Sequence, residues 1–328
     1  MKQIILDSPK QFKIGIEKAK GVGLEGKFKN VVLCGVGGSA MPGILIADAF
    51  GDELKIPLYI HRSYGLPYQA NEKSLVICLS FSGNTEETIS SFESALQKGL
   101  RPVVITTGGK LEQMALEKGL PCCVVPNDCL QPRFGTAYLF AGLIKILINS
   151  GLLNQEVENK ILSLKENLKP ETFEKEGEKL AKKLIGKTPV IYSSDKYKSI
   201  ARICKIKFNE NSKTMAFWNY FPELNHNEMV GLTTAKSKGQ KASSFYFLIL
   251  KDSQDNPKII KRIELTKELI KEAGCEVESI KMIGANKLEK MFNTLLLFDF
   301  ASYYLALALG VDPISVPIVE NFKKRLVK

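Results

Sequence analysis

The sequence predicts an α/β fold: two doubly wound α/β/α sandwich domains with mainly parallel sheets, a helical linker and a C-terminal helix. Three observations carry this. From residue 30 onward, short β-rich runs that are apolar throughout alternate with helical stretches, the pattern of parallel strands covered on both faces. The alternation is interrupted once, by a Lys/Glu-rich helical segment, and then begins again. At 328 residues the chain is also long enough for two domains of ordinary size, each with its own core.

The first half reads in order as strand NVVLCG and helix PGILIADAF; strand IPLYIHR; strand SLVICLSF and helix NTEETISSFESALQKG; strand RPVVITTGG and helix LEQMALEKG; strand PCCVVPN and helix FGTAYLFAGLIKILINSG. Five such strands complete a doubly wound domain. The helical segment from Asn154 to about Lys187 follows. The second half then repeats the pattern with TPVIYSS, the helix SIARICKIKFNE, MAFWNYFP, FYFLILKD, a helix from Pro257 to Gly274, CEVESIKM, and a long helix ending at Gly310. VPIVENFKKRL reads as a short last helix. The domains expected are 1–152, with the phosphate-binding loops, and 153–328, with the linker helix and the C-terminal helix.

Composition excludes several classes. The formal charge of +11 comes from 46 Lys+Arg against 35 Asp+Glu, but the lysines are interleaved with glutamates, as in KENLKPETFEKEGEKLAKK. That is a solvated helix surface, and no nucleic-acid or membrane partner is inferred from it. The apolar stretch LLLFDFASYYLALALG (295–310) is short for a bilayer span, carries Asp299 and reads as a core helix. Seven cysteines without CxxC spacing and only two histidines supply no zinc set, so buried reduced thiols in a cytoplasmic protein are expected. The N-terminus MKQIILDSPKQFK lacks a signal-peptide apolar core.

In a doubly wound sheet, ligands sit beyond the carboxyl ends of the strands where strand order reverses. The loops leaving strands one and three are GVGGSAMPG and SFSGNTEET. The first contains GxGxxA at Gly35, Gly37 and Ala40, the form of a dinucleotide loop, but the second strand ends in His61 and Arg62 where an acidic residue would bind a ribose. NAD is thereby disfavoured, and an NADP reading would rest on Arg62. In the second loop Ser80, Ser82 and Thr85 offer hydroxyls, Gly83 lets the backbone approach closely, and the following helix presents free N–H groups and its positive dipole end. This forms a phosphate cradle. Its plain alternative is that Ser82, Asn84 and Thr85 only cap the helix. A flavodoxin-like FMN loop would share the hydroxyls but follow the first strand rather than the third.

CGVGGSAMPG, SFSGNTEET, PRFGTAYLF, FNENSKTMAFWNYFPELNHNEMVG and DPISVPIVENFKKRL occur in this order along nearly the whole chain. The set resembles the bifunctional phosphoglucose/phosphomannose isomerase family, made of two sugar-isomerase (SIS) domains. The second loop alone indicates only an SIS domain; the FNENSK and ELNHNE strings are the specific part. The resemblance implies an aldose-ketose isomerase that interconverts glucose 6-phosphate and mannose 6-phosphate with fructose 6-phosphate through a cis-enediolate, without metal or cofactor. It implies Glu210 as the base, His226 as the ring-opening acid and base, Arg133 facing the enediolate, and Lys323, with Lys324 beside it, supporting ring opening. Gly37, Gly38 and Ser39 are expected to line the sugar, and Ser80, Ser82 and Thr85 its phosphate. The wider family implies a homodimer in which His226 reaches the neighbouring subunit's site. Where relatives often carry a threonine after the Asp-Pro of the tail, this chain has Ile314 and Ser315, a departure that bears on use of the mannose epimer.

Two other readings share the fold. A sugar-phosphate sensor would keep the loops, dispense with Glu210 and His226, and add a DNA-binding helix-turn-helix, for which the first 29 residues leave no room. An amino-sugar phosphate isomerase would differ in the second-domain strings.

Overall fold

The computed structural model describes residues 1–129, 131–233 and 244–326. The chain divides into two compact units, Leu6–Leu168 and Lys169–Lys328, the latter taking in Met1–Ile5. The first helix, α1 (Lys2–Asp7), runs across the point of division.

The first unit has five parallel strands, β1 (Asn30–Cys34), β2 (Leu58–His61), β3 (Ser74–Ser80), β4 (Val103–Thr106) and β5 (Cys122–Val124), in the order β2-β1-β3-β4-β5. The helices are α2 (Lys10–Lys18), α3 (Met41–Phe50), α4 (Glu86–Gln97), α5 (Gly109–Glu117), α6 (Thr136–Asn149) and α7 (Glu156–Asn167). All seven residues of β3 are buried, which is why SLVICLS carries no polar alternation. One face of the sheet (Val32, Cys34, Val76, Cys78, Val104) packs on Phe92 and Ala95 of α4 and on Leu111 and Ala115 of α5. The opposite face, with Val31, Leu33, Ile77 and Ile105, is buried too, on the side of α6 and its neighbours α2 and α3. Each such fully buried aliphatic or aromatic side chain contributes roughly 1.5–3 kcal/mol.

The second unit has four parallel strands, β6 (Thr188–Ser194), β7 (Phe217–Phe221), β8 (Phe245–Lys251) and β9 (Glu276–Lys281), ordered β7-β6-β8-β9. Around them lie α8 (Glu171–Lys183), α9 (Lys198–Glu210), α10 (Pro257–Glu272), α11 (Lys287–Ala308) and α12 (Pro317–Leu326). This order repeats that of the first four strands of the other sheet, so the expected α/β class with parallel sheets is the one observed.

The long apolar helix differs from its sequence reading in length. Asn286 caps α11 by accepting the Glu289 N–H, so the helix starts at Lys287 and runs 22 residues. By length and mean hydropathy (1.3) it could cross a bilayer, but 72% of its most apolar window is buried, much of it against α8 and α9. Burial of this kind makes it a core helix. All seven cysteines are free thiols, six of them buried.

Candidate active site

Strand order reverses in the first sheet between β1 and β3, both of which pair with each other while β2 lies outside β1. The two loops singled out in the sequence therefore leave adjacent strands at the edge where this fold holds ligands.

The loop after β1 forms a one-turn 3-10 helix, Gly37–Ala40, and Ser39 is buried within it. Ser39 Oγ accepts the backbone N–H of Phe81 at 3.0 Å, tying this loop to the one after β3. A Cβ on Gly38 would come within 2.9 Å of Pro132 Cβ, so a glycine there lets the turn holding Arg133 approach. Arg133 sits in the one-turn 3-10 helix Pro132–Phe134 just before α6, 3% exposed, with its guanidinium carbon 4.5 Å from the Phe134 ring centroid. A surface arginine in an ordinary ion pair would not be so buried. Gln11 of α2 holds this turn from behind, donating to Phe134 O at 2.9 Å and to Cys129 Sγ at 3.3 Å. Asp128 accepts from Tyr138 Oη at 3.0 Å and Cys129 Sγ at 3.2 Å, and burial together with this carboxylate pushes the Tyr138 hydroxyl well above its ordinary pKa.

The loop after β3 bears directly on the capping alternative. Thr85 is the N-cap residue of α4, yet its side chain makes no capping bond; its Oγ1 pairs with Ser80 Oγ at 2.9 Å. Asn84 turns away as well, donating to Ser82 O at 3.1 Å and accepting the Lys110 N–H of α5 at 3.0 Å. Ser82 Oγ, exposed, accepts the Asn84 N–H at 3.3 Å. The hydroxyls are thus gathered at the mouth of the helix without closing it. Gly83 has φ +67°, and a Cβ there would lie 1.7 Å from Gly108 O, so the loop can take this path only with glycine. Gly37, Gly38, Ser39, Ser80, Ser82, Thr85 and Arg133 all fall within this one unit.

The corresponding crevice of the second sheet, between β6 and β8, is built differently. Asp252, just after β8, has a fully buried carboxylate that accepts from Lys290 Nζ at 2.8 Å, Tyr197 Oη at 2.6 Å and Lys196 Nζ at 3.2 Å. An internal carboxylate already neutralises the cations there. Burial alone would push its carboxyl pKa up, but the bonds from Lys290, Tyr197 and the Gln254 N–H outweigh that and hold it well below the usual range.

Glu210, His226 and Lys323 lie on the second unit. Glu210 is the last residue of α9 and half-buried. His226 ends the 3-10 turn Glu223–His226 and is exposed, while its neighbours are anchored. Leu224 is buried, Asn225 bonds Thr266 Oγ1 of α10 at 2.9 Å, and Asn227 closes on Glu223 at 2.7 Å. Glu228 is bound by Tyr192 Oη at 2.5 Å and by Asn219, so of the carboxylates near His226 this one serves as an anchor. Lys323 is exposed on α12 and pairs with Glu320 at 3.1 Å. Sequence reading missed Gln11 and Lys213, whose bonds join segments far apart in the chain, and Asp128, which bonds Tyr138 ten residues on. Among the described residues no His/Cys/Asp/Glu group is arranged to hold a metal ion.

Comparison with known proteins gives this geometry its context. The profile of the bacterial phospho-glucose isomerase C-terminal SIS domain matches residues 173–326. The bifunctional phosphoglucose/phosphomannose isomerase of Caldicellulosiruptor bescii is 36% identical over 340 residues, covering 100% of this chain and 99% of that one. The protein of the same name from Aquifex aeolicus is 32% identical, covering 92% and 91%. Among solved structures, tagatose-6-phosphate ketose/aldose isomerase from Escherichia coli superposes with a TM-score of 0.66 at 13% identity, covering 96% of this chain and 95% of that one, a likeness of fold. With identity sustained over the full length of both chains, and the SIS profile on the second half, the chain belongs to the bifunctional phosphoglucose/phosphomannose isomerase family of enzymes.

Proposed function

We propose that this protein interconverts glucose 6-phosphate and mannose 6-phosphate with fructose 6-phosphate, and that the residues named above carry the reaction. The observation that supports this most is the hydroxyl cluster at the head of α4, where the N-cap threonine pairs with Ser80 instead of capping its own helix. Ser80, Ser82, Thr85 and the first-turn N–H groups of α4 make an anion seat suited to a phosphate monoester. Gly37, Gly38 and Ser39 lie on the adjoining loop, where a sugar attached to that phosphate would extend.

The chemistry requires the ring to open and one proton to pass between C1 and C2. Glu210 takes the C2 proton of the open aldose and the electrons shift to O1, giving an enediolate; the O2 proton passes to O1, the C2–O2 carbonyl forms, and Glu210 returns its proton to C1 of the ketose. Arg133, permanently charged and buried, stabilises the enediolate oxygen. His226 passes a proton to and from the ring oxygen, for which an imidazole is suited near neutral pH, and Lys323 assists. His226 is exposed on its unit, which supports a role toward a second subunit in a homodimer with shared sites. Free, mostly buried thiols support a cytoplasmic setting.

Product analysis after incubating the purified protein separately with glucose 6-phosphate and mannose 6-phosphate tests the reading. Fructose 6-phosphate is expected from both. Its absence from both overturns the proposal; its absence from the mannose reaction alone assigns the Ile314–Ser315 departure a role in epimer choice.

A further inference from the structure

The segment from Asn209 to Thr214 uses its side chains to hold its own backbone. Asn209 Nδ2 donates to Thr214 O at 2.9 Å, Ser212 Oγ to Phe208 O at 2.8 Å, and buried Asn211 donates to Ser302 Oγ of α11 at 2.9 Å. Within it, Lys213 adopts φ +55°, the left-handed conformation, and is the one non-glycine residue with positive φ among the described residues. A lysine is poorly suited to that conformation, which glycine or asparagine adopts more readily.

The backbone turn lets the Lys213 side chain fold back over the end of α9. Its Nζ donates to Glu210 O at 2.8 Å, to Asn211 O at 3.3 Å, and to Asp312 O. The first two contacts are ordinary for a cation at a helix C-terminus. The third reaches 99 residues along the chain, to the start of the segment that leads into α12. Asp312 organises that segment in turn: its carboxylate accepts the N–H groups of Ile314 at 2.9 Å and Ser315 at 3.1 Å. The Ser315 side-chain bond, then these two N–H groups, lower its pKa to about 2, with the Lys213 charge adding to them. One exposed ammonium therefore joins the carbonyl of Glu210 to the root of the helix bearing Lys323.

We propose that Lys213 is a positioning residue for the isomerase reaction, tying the Glu210 end of α9 to the Asp312 turn so that the base and the C-terminal segment keep a fixed relation. The inference rests on the reading of Glu210 as the base. In this role Lys213 makes no contact with sugar or phosphate; its ammonium donates to backbone carbonyls. Its loss acts on the geometry of proton transfer, where a displacement of about 1 Å costs on the order of 10²-fold in rate.

The test compares Lys213→Ala, Lys213→Gly and Lys213→Arg in the full-length protein, with Glu210→Gln measured in parallel. Glycine removes the ammonium but suits the left-handed backbone, so it separates charge from backbone strain. Arginine keeps the charge and the donors. For Ala and Gly we expect kcat to fall about 10- to 100-fold with KM for fructose 6-phosphate within about twofold, and Arg to recover most of the loss. Amide hydrogen exchange in residues 311–317 should quicken in Ala and Gly and not in Arg. Wild-type kcat in folded Gly and Ala variants, or unchanged exchange, overturns the proposal. A Glu210→Gln variant that loses turnover beside a wild-type-like Lys213→Ala sinks the positioning role alone. A fully active Glu210→Gln removes the base reading and this role with it. Adding Lys213→Ala to Glu210→Gln should cost nothing further, and an additional loss shows that Lys213 acts elsewhere.

Discussion

The backbone N–H of Phe81 donates to Ser39 Oγ at 3.0 Å, so the loop leaving β3 hangs on a hydroxyl of the loop leaving β1. Both groups are buried. Replacing Ser39 with Ala leaves a buried amide without its acceptor, which costs about 1–3 kcal/mol. The expected result is a lower urea midpoint together with a raised KM, because the loop proposed to seat the phosphate loses its register on the loop proposed to line the sugar. A midpoint and KM both equal to wild type would show that the bond holds nothing.

Ser80 and Thr85 present a contrasting case, since their hydroxyls pair with each other and neither caps α4. The double variant Ser80→Ala, Thr85→Ala should keep most of its stability and raise KM for both aldose phosphates, with kcat less affected, as phosphate binding serves ground and transition states alike. Steady-state kinetics on both epimers decides it, and an unchanged KM removes the phosphate role from this loop.

Glu210→Gln preserves the shape of the last residue of α9 while removing its basicity. We expect kcat to fall by roughly 10²-fold or more, the scale of general-base catalysis, with substrate affinity little changed. During turnover the wild type should exchange the substrate C2 hydrogen with solvent, and the variant should not. Near wild-type exchange in the variant would move the base elsewhere, with Glu223 the next carboxylate to test, Glu228 being held by Tyr192 and Asn219.

The Asp252 cluster predicts a stability effect separate from chemistry. Removing the carboxylate strands Lys290, itself buried, and the loss of one partner of such a pair costs about 3–5 kcal/mol. Asp252→Asn should lower the urea midpoint of the second unit, and Lys290→Met added to it should recover part of the loss. The pH dependence follows from the depressed pKa of Asp252. Its contribution is complete above the ordinary aspartate pKa of about 3.9 and disappears as pH falls through the lower folded-state value. Denaturation by acid should therefore set in below about pH 4 in the wild type, with Asp252→Asn less sensitive there. Equal acid sensitivity in both would contradict the assignment.

Sharing of sites across a homodimer can be read from mixed subunits. Glu210→Gln and His226→Ala proteins, each expected to be strongly impaired alone, should regain part of the wild-type activity when combined under conditions where subunits exchange. No recovery despite exchange, followed with differently labelled chains, means that each chain uses its own His226.

The sequence by itself determined the class of fold and the positions of its strands, because a parallel strand buried on both faces must be apolar throughout, as LVICLS is in β3. It also placed the two glycine-containing loops directly after the first and third strands, since the apolar runs end where those loops begin. Tertiary structure alone decided the strand order, which depends on crossovers rather than on any strand's residues, and hence that the loops after β1 and β3 lie side by side. It decided that Thr85 pairs with Ser80 when a cap would have been the local expectation, and that α11 is 22 residues long, beginning at a polar first turn which hydropathy overlooks. Arg133 is buried where the Gly38 turn closes on the turn that holds it, and Lys213 takes a left-handed backbone to reach Asp312, because these partners come from distant chain segments. Local sequence encodes propensity and pattern within a few residues; a bond across 99 residues exists only once the chain has closed on itself.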